Sequence, residues 1–118
     1  MHADYEQHMA RLVESELIKL GLLNADAIAN QEPEKPLYKK YFMHGTAHYI
    51  GLDVHDVGLY SRPFEEGMVF TCEPGIYIPE EGIGCRLEND YLITKDGNQN
   101  LTAAIPIEIE DIEAIMHT

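Results

Sequence analysis

His44, His48 and His55 fall within one short stretch, His44-Gly45-Thr46-Ala47-His48-Tyr49-Ile50-Gly51-Leu52-Asp53-Val54-His55-Asp56. Imidazoles act as metal ligands, proton carriers and hydrogen-bond donors to developing negative charge. A solitary histidine is more often a satisfied, half-buried side chain, but three set between glycines point to a site. His2, His8 and His117 stand near the chain ends and add nothing to that cluster. His44 and His48 are four apart, the spacing of a zinc-binding helix, but that motif needs a glutamate directly after the first histidine. Gly45 occupies that position, and Gly51 and Val54 fit a helix poorly, so a loop or strand is predicted. His48 and His55 are seven apart and would face opposite sides of an unbroken strand. A bend at Gly51 would bring both to one cavity.

Two carboxylates follow. Glu73-Pro74-Gly75 comes directly after the apolar run Met68–Cys72. An ordinary polar turn is the plain reading; a carboxylate held rigidly at a strand end is the chemical one. Arg86-Leu87-Glu88-Asn89-Asp90 lies in the next strand-like run, where Arg86 and Glu88 share one sheet face and Leu87 takes the other. Such a pair can be a solvated surface pair. Brought beside His48, Glu73 and Glu88 would form an oxygen-rich site with one imidazole. That donor set suits manganese, iron, cobalt or zinc better than a structural zinc cage.

The surrounding elements must position these groups. Met9, Leu12, Val13, Leu17 and Leu20 follow one helix face, which predicts a helix over residues 5–21 with Asp4 as N-cap and Gly21 as stop. A short second helix is predicted near Asn24–Asn30, then a polar, proline-containing connector, Gln31–Pro36. From Leu37 glycines recur beside apolar runs. Residues 68–72 and 76–78 read as strands, the second ended by Pro79. Cys85–Thr94 reads as one strand-like run ending at the turn signal Lys95-Asp96-Gly97-Asn98. Glu108–Met116 reads as a final strand or helix. The fold class is α+β, with a helical region at 1–30 and a sheet and ligand region at 37–118.

The chain has 118 residues, one domain or a piece of one, and carries 21 Asp plus Glu against 8 Lys plus Arg. That balance repels nucleic-acid phosphates and argues against a nucleic-acid partner. No run approaches the roughly 18 apolar residues of a membrane span, and no secretory leader is visible. The two cysteines, Cys72 and Cys85, read as reduced, buried thiols of a cytoplasmic protein.

Taken in order, His-Gly-x-x-His-x-x-Gly-x-x-Val-His-Asp (44–56), Glu-Pro-Gly (73–75) and Arg-x-Glu (86–88) resemble the pita-bread metallopeptidase family, in its aminopeptidase P and prolidase branch. Each piece is weak alone; the ordered set is specific. The resemblance implies the C-terminal part of a pita-bread fold, a curved antiparallel sheet with helices on its outer face. It implies a hydrolase that releases the N-terminal residue from peptides with proline second. His48, Glu73 and Glu88 match the family's His ligand, first Glu ligand and bridging Glu ligand. His44 matches the residue near the leaving-group proline, and His55 the one that stabilises the tetrahedral intermediate. Arg86 and Tyr77 match supporting residues. Asn89 stands where the family often has an acidic residue.

The family's two Asp ligands come from well upstream of the histidines. Only Asp4 and Asp26 precede His44 here, and both sit in helical surroundings, so neither is taken as a ligand. The expectation is therefore a piece lacking the N-terminal half of the domain and inactive alone. It would bind at most one ion, weakly, where the parent holds two divalent ions, manganese first and cobalt or zinc next. Alternatives are an Xaa-Pro dipeptidase (prolidase), or a non-catalytic pita-bread module that binds peptides or proteins. Uncovered sheet surface, with Val69, Phe70, Ile76, Ile78, Leu92 and Ile93 as candidates, predicts a homo-oligomer.

Overall fold

The computed structural model describes residues 2–117. Helix α1 spans His2–Lys19, α2 Ala25–Ala29 and α3 Ile109–Met116. The strands are β1 Val69–Cys72, β2 Gly75–Ile78, β3 Ile83–Arg86, β4 Asn89–Thr94 and β5 Gly97–Asn100. Among the described residues no helix is long and apolar enough to cross a membrane.

Helix α1 already includes His2, so Asp4 lies in its first turn rather than capping it. An acidic side chain there still complements the positive end of the helix dipole. Gly21 stops the helix as expected, with φ +75. The Gly21 N–H donates to Ile18 O at 2.9 Å and the Leu22 N–H to Leu17 O at 2.9 Å. This glycine-terminated reversal turns Leu22 and Leu23 back toward the core. Of the predicted apolar face, Val13 and Leu17 are buried while Leu12 and Leu20 are exposed. The core is small: Val13 and Leu17 meet Tyr41 and Phe42, flanked by Tyr38, Ile76 and Ile78. Asn24 caps α2 by accepting the Asp26 and Ala27 N–H groups at 2.8 and 3.2 Å.

Strands β1, β4 and β5 form one antiparallel sheet in the order β1-β4-β5, and β2 and β3 form a second. The run Cys85–Thr94 is not one strand, as its composition predicted. It breaks at Leu87–Glu88, opposite a break in the other arm at Glu73–Pro74. Proline causes the interruption, because it has no N–H to give to the ladder. Register survives it. Cys72 pairs with Asn89 on one side and Gly75 with Arg86 on the other, which sets Glu73 opposite Glu88. The Leu87 N–H still donates to Pro74 O at 3.3 Å. Residues 69–94 are thus one long hairpin interrupted at its middle. Strand β5, which begins inside the turn signal at Gly97 and has no apolar alternation, was not anticipated.

Both cysteines are free, as expected, but Cys85 is exposed and Cys72 half-buried rather than buried. Tyr5 donates its hydroxyl to Cys72 Sγ at 3.3 Å. Burial first, and the Cys72 contact next, push that phenol well above its ordinary range, so it stays a donor.

Candidate metal centre

The segment Thr46–Tyr49 lies alongside β1. The Thr71 N–H donates to His48 O at 3.0 Å and the Glu73 N–H to Thr46 O at 2.8 Å, and Tyr49 bridges Phe70. Thr71, fully enclosed, accepts the His48 N–H on its hydroxyl at 3.1 Å. His48 is buried, and its Nδ1 donates to Tyr49 O at 2.8 Å. That contact leaves Nε2 as the outward atom, 3.3 Å from Glu73 Oε1. An imidazole oriented by a backbone carbonyl on one nitrogen presents the other to a ligand.

Glu73 and Glu88 emerge from the paired breaks in the hairpin. They occupy a non-hydrogen-bonded position of the ladder, where opposed side chains approach most closely. Like charges so placed are destabilising without a cation between them. The ligand atoms of His48, Glu73 and Glu88 all lie within 4.8 Å of one another, and no other such trio occurs among the described residues. Atoms bound to one ion at about 2.0–2.2 Å lie about 3–4 Å apart, so small side-chain rotations bring the trio onto a cation. The residues present fit a divalent ion.

The other predicted residues surround this trio. The Arg86 Nε is 3.7 Å from Glu73 Oε2, and its side chain is half exposed. Arg86 ends β3 and Glu88 lies beyond it, but the register kept across the break leaves both side chains on the Glu73 side, as their spacing predicts. The bend required at Gly51 is present: the Asp56 N–H returns to Tyr49 O at 3.0 Å, and the His55 ring stacks on His48 with centroids 4.1 Å apart. His44 gives Nδ1–H to Gly45 O at 2.6 Å, so its Nε2 accepts from the Tyr77 hydroxyl at 3.0 Å. Tyr77 lies against Gly84, where an added Cβ would come within 2.8 Å of its ring.

A cleft of about 320 Å³ is lined by His44, Gly45, Ala47, His48, His55, Glu73 and Arg86. Glu88 is exposed and does not line it, although its carboxylate belongs to the trio. A more apolar cavity of about 420 Å³ beside Tyr5, Phe64 and Tyr91 shares only Ala47 with that cleft and holds none of its histidines, Glu73 or Arg86, so volume alone does not locate the chemistry. Thr71 and Glu6, which hold the His48 segment, were not singled out from sequence. Thr71 sits inside an apolar run and Glu6 on a helix, and neither has a spacing that marks it.

A His/Glu/Glu trio set between an interrupted hairpin and a glycine-rich loop is a donor set for a divalent cation. Residues 6–95 match the family model for metallopeptidase family M24, and the chain belongs to that family. The Xaa-Pro aminopeptidase of Escherichia coli (strain K12) is 47% identical over 122 residues, covering 92% of this chain and 27% of the relative. The Xaa-Pro aminopeptidase of Haemophilus influenzae is 47% identical over 113 residues, covering 86% of this chain and 26% of the relative. The solved structure of zinc-substituted E. coli aminopeptidase P in complex with product matches with a TM-score of 0.77 and 44% identity, covering 92% of this chain and 27% of that one. The fold is therefore part of the aminopeptidase P architecture, the pita-bread fold. The chain spans about a quarter of the length of the curated relatives it matches.

Proposed function

We propose that this chain is the metal-ligand part of an Xaa-Pro aminopeptidase, which releases the N-terminal residue from peptides with proline second. The convergence of His48, Glu73 and Glu88 carries the reading, and the names of the relatives supply the substrate class. In this reading His48, Glu73 and Glu88 hold divalent cations, manganese in preference to cobalt or zinc. Two further Asp ligands, belonging to the N-terminal half of the domain, lie outside these 118 residues. Alone, the chain takes up at most one ion weakly and does not turn over peptide. The cations, when bound, generate a nucleophile from water and polarise the scissile carbonyl.

The chain's own residues orient and exclude. His44, held by Tyr77 and Gly45, faces the proline side of the bond. His55, stacked on His48, donates to the oxygen that gains charge. Arg86 steadies the Glu73 carboxylate. The two free cysteines are compatible with a cytoplasmic location.

The test is a chimera in which this chain replaces the matching quarter of the E. coli relative. It is expected to release alanine from an Ala-Pro peptide and to spare an Ala-Ala one. His48→Ala in the chimera is expected to lower that rate by at least about 100-fold. A folded chimera that leaves the Ala-Pro peptide intact refutes the assignment.

A homo-oligomer of the isolated chain belongs to the same reading. Phe70 is buried, and Val69, Ile76, Ile78, Leu92 and Ile93 are half-buried, so the apolar surface lies mainly elsewhere. Leu101, Ile105, Ile107, Ile109 and Ile112 are exposed on the approach to α3 and on α3 itself. Burying a few hundred Å² of such surface at about 25 cal/mol per Å² yields several kcal/mol before association costs. Sedimentation at micromolar concentration is expected to show self-association that Ile109→Glu with Ile112→Glu abolishes. A concentration-independent monomer would rule it out.

A further inference from the structure

We propose that Glu6 is a positioning residue for the metal centre: its carboxylate grips the loop between His44 and His48 and so sets two ligand-bearing segments at once. The proposal rests on the metal-centre reading above. Glu6 stands on α1, forty residues from the loop it holds. The Thr46 N–H donates to both its oxygens, at 2.9 Å to Oε1 and 3.1 Å to Oε2. The Thr46 hydroxyl donates to Oε1 at 2.8 Å, and the Ala47 N–H to Oε1 at 3.2 Å. Two successive backbone N–H groups turned to one anion make a small nest. Thr46 is fully enclosed, so with Glu6 in place its donors have the carboxylate and no water to turn to.

The consequences run in two directions. Through Ala47 the loop passes directly into His48, whose ring carries the outward Nε2. Through its own carbonyl, Thr46 accepts the Glu73 N–H at 2.8 Å. One carboxylate therefore fixes the start of the His48 segment and, one hydrogen bond further, the backbone of Glu73. His2 closes the other side of the loop, donating Nε2–H to Ala47 O at 2.9 Å. The anchor is firm because α1 is held by Val13 and Leu17 in the core. Supporting partners of this kind keep ligands in the geometry a cation needs, and their loss costs about 10–100-fold in metal affinity.

Cobalt(II) is the probe, titrated into the 118-residue chain and followed by its visible absorption, with amide hydrogen exchange measured on the metal-free protein. Glu6→Ala is expected to weaken cobalt binding about 10–100-fold. It should also speed exchange at Thr46 and Ala47 by at least about tenfold, while the amides of Val13 and Leu17 stay protected. Glu6→Gln, which keeps an acceptor oxygen without the charge, is expected to restore most of both. Glu6→Ala with wild-type cobalt affinity overturns the proposal. So does Glu6→Gln that protects Thr46 yet loses cobalt to the extent of His48→Ala, since the carboxylate would then act by charge rather than placement; this arm decides if the alanine variant fails to fold. A wild-type chain that takes up no cobalt stays within the reading of at most one ion but overturns a positioning role for Glu6 in this chain's metal uptake. The exchange arm shows separately whether Glu6 holds the loop.

Discussion

Glu88→Gln is expected to raise the melting temperature of the metal-free chain while abolishing its cobalt binding. The two effects have one cause. Glu73 and Glu88 face each other across the hairpin at its break, and their ligand atoms lie near that of His48. Opposed like charges cost about 0.2–1 kcal/mol, and Glu88 is exposed, so the gain lies toward the low end of that range at physiological salt. Relief should raise the melting temperature by about 1–4 °C, more at low salt. An amide is a poor ligand for a divalent ion, and a trio reduced to His48 and Glu73 should lose more than about 100-fold in affinity, beyond what loss of a supporting partner costs. Thermal unfolding with and without chelator, beside a cobalt titration, measures both. A variant that melts lower and binds as before would show that Glu88 serves the hairpin and not a cation.

Leu17→Ala is expected to leave a large fraction of the chain unfolded at 37 °C. Leu17 has no exposed surface and stands at the centre of a core whose other buried members are Val13, Tyr41 and Phe42. Removing a fully enclosed leucine costs about 2–5 kcal/mol, through lost burial and the cavity left behind. A domain of this size has about 5–15 kcal/mol in total, and so small a core places it near the low end. Leu20→Ala, at an exposed position just past the end of helix α1, should change stability by less than about 0.5 kcal/mol. Urea denaturation followed by circular dichroism compares them. Equal midpoints would mean that α1 is not held through Leu17, and the anchoring of Glu6 would need another cause.

The stretches that carry the proposed ligands stood out because each has an unusual composition at fixed spacing: histidines between glycines, a carboxylate before Pro74-Gly75, and a carboxylate two residues after Arg86. Their separate readings were less secure than their order. Helix α1 was visible from its apolar spacing and Gly21, but its start was not, because a fraying first turn has no compositional edge. The break at Leu87–Glu88 was hidden, since its cause is Pro74, which lies on the opposite arm. β5 was hidden for a similar reason: Gly97–Asn100 is polar throughout and is a strand only because β4 offers it an edge. Glu6 escaped notice because a long-range hydrogen bond to backbone leaves no periodicity. What the sequence shows poorly here is whatever depends on a neighbour distant in the chain.

The unbroken register of the interrupted hairpin constrains how its length can vary. The tip, Pro79–Gly82, is exposed and distant from the ligands. Adding one residue to β2 alone would slide Glu73 past Glu88 or force a bulge, and a slip of one position turns alternate side chains to the opposite face. Residues added beyond Tyr77 in matched numbers on both arms would keep Glu73 facing Glu88 and leave Tyr77 beneath His44. The outer hairpin can therefore lengthen or shorten only in step, like the two sides of a zip, and an uneven change would have to be absorbed in the turn itself.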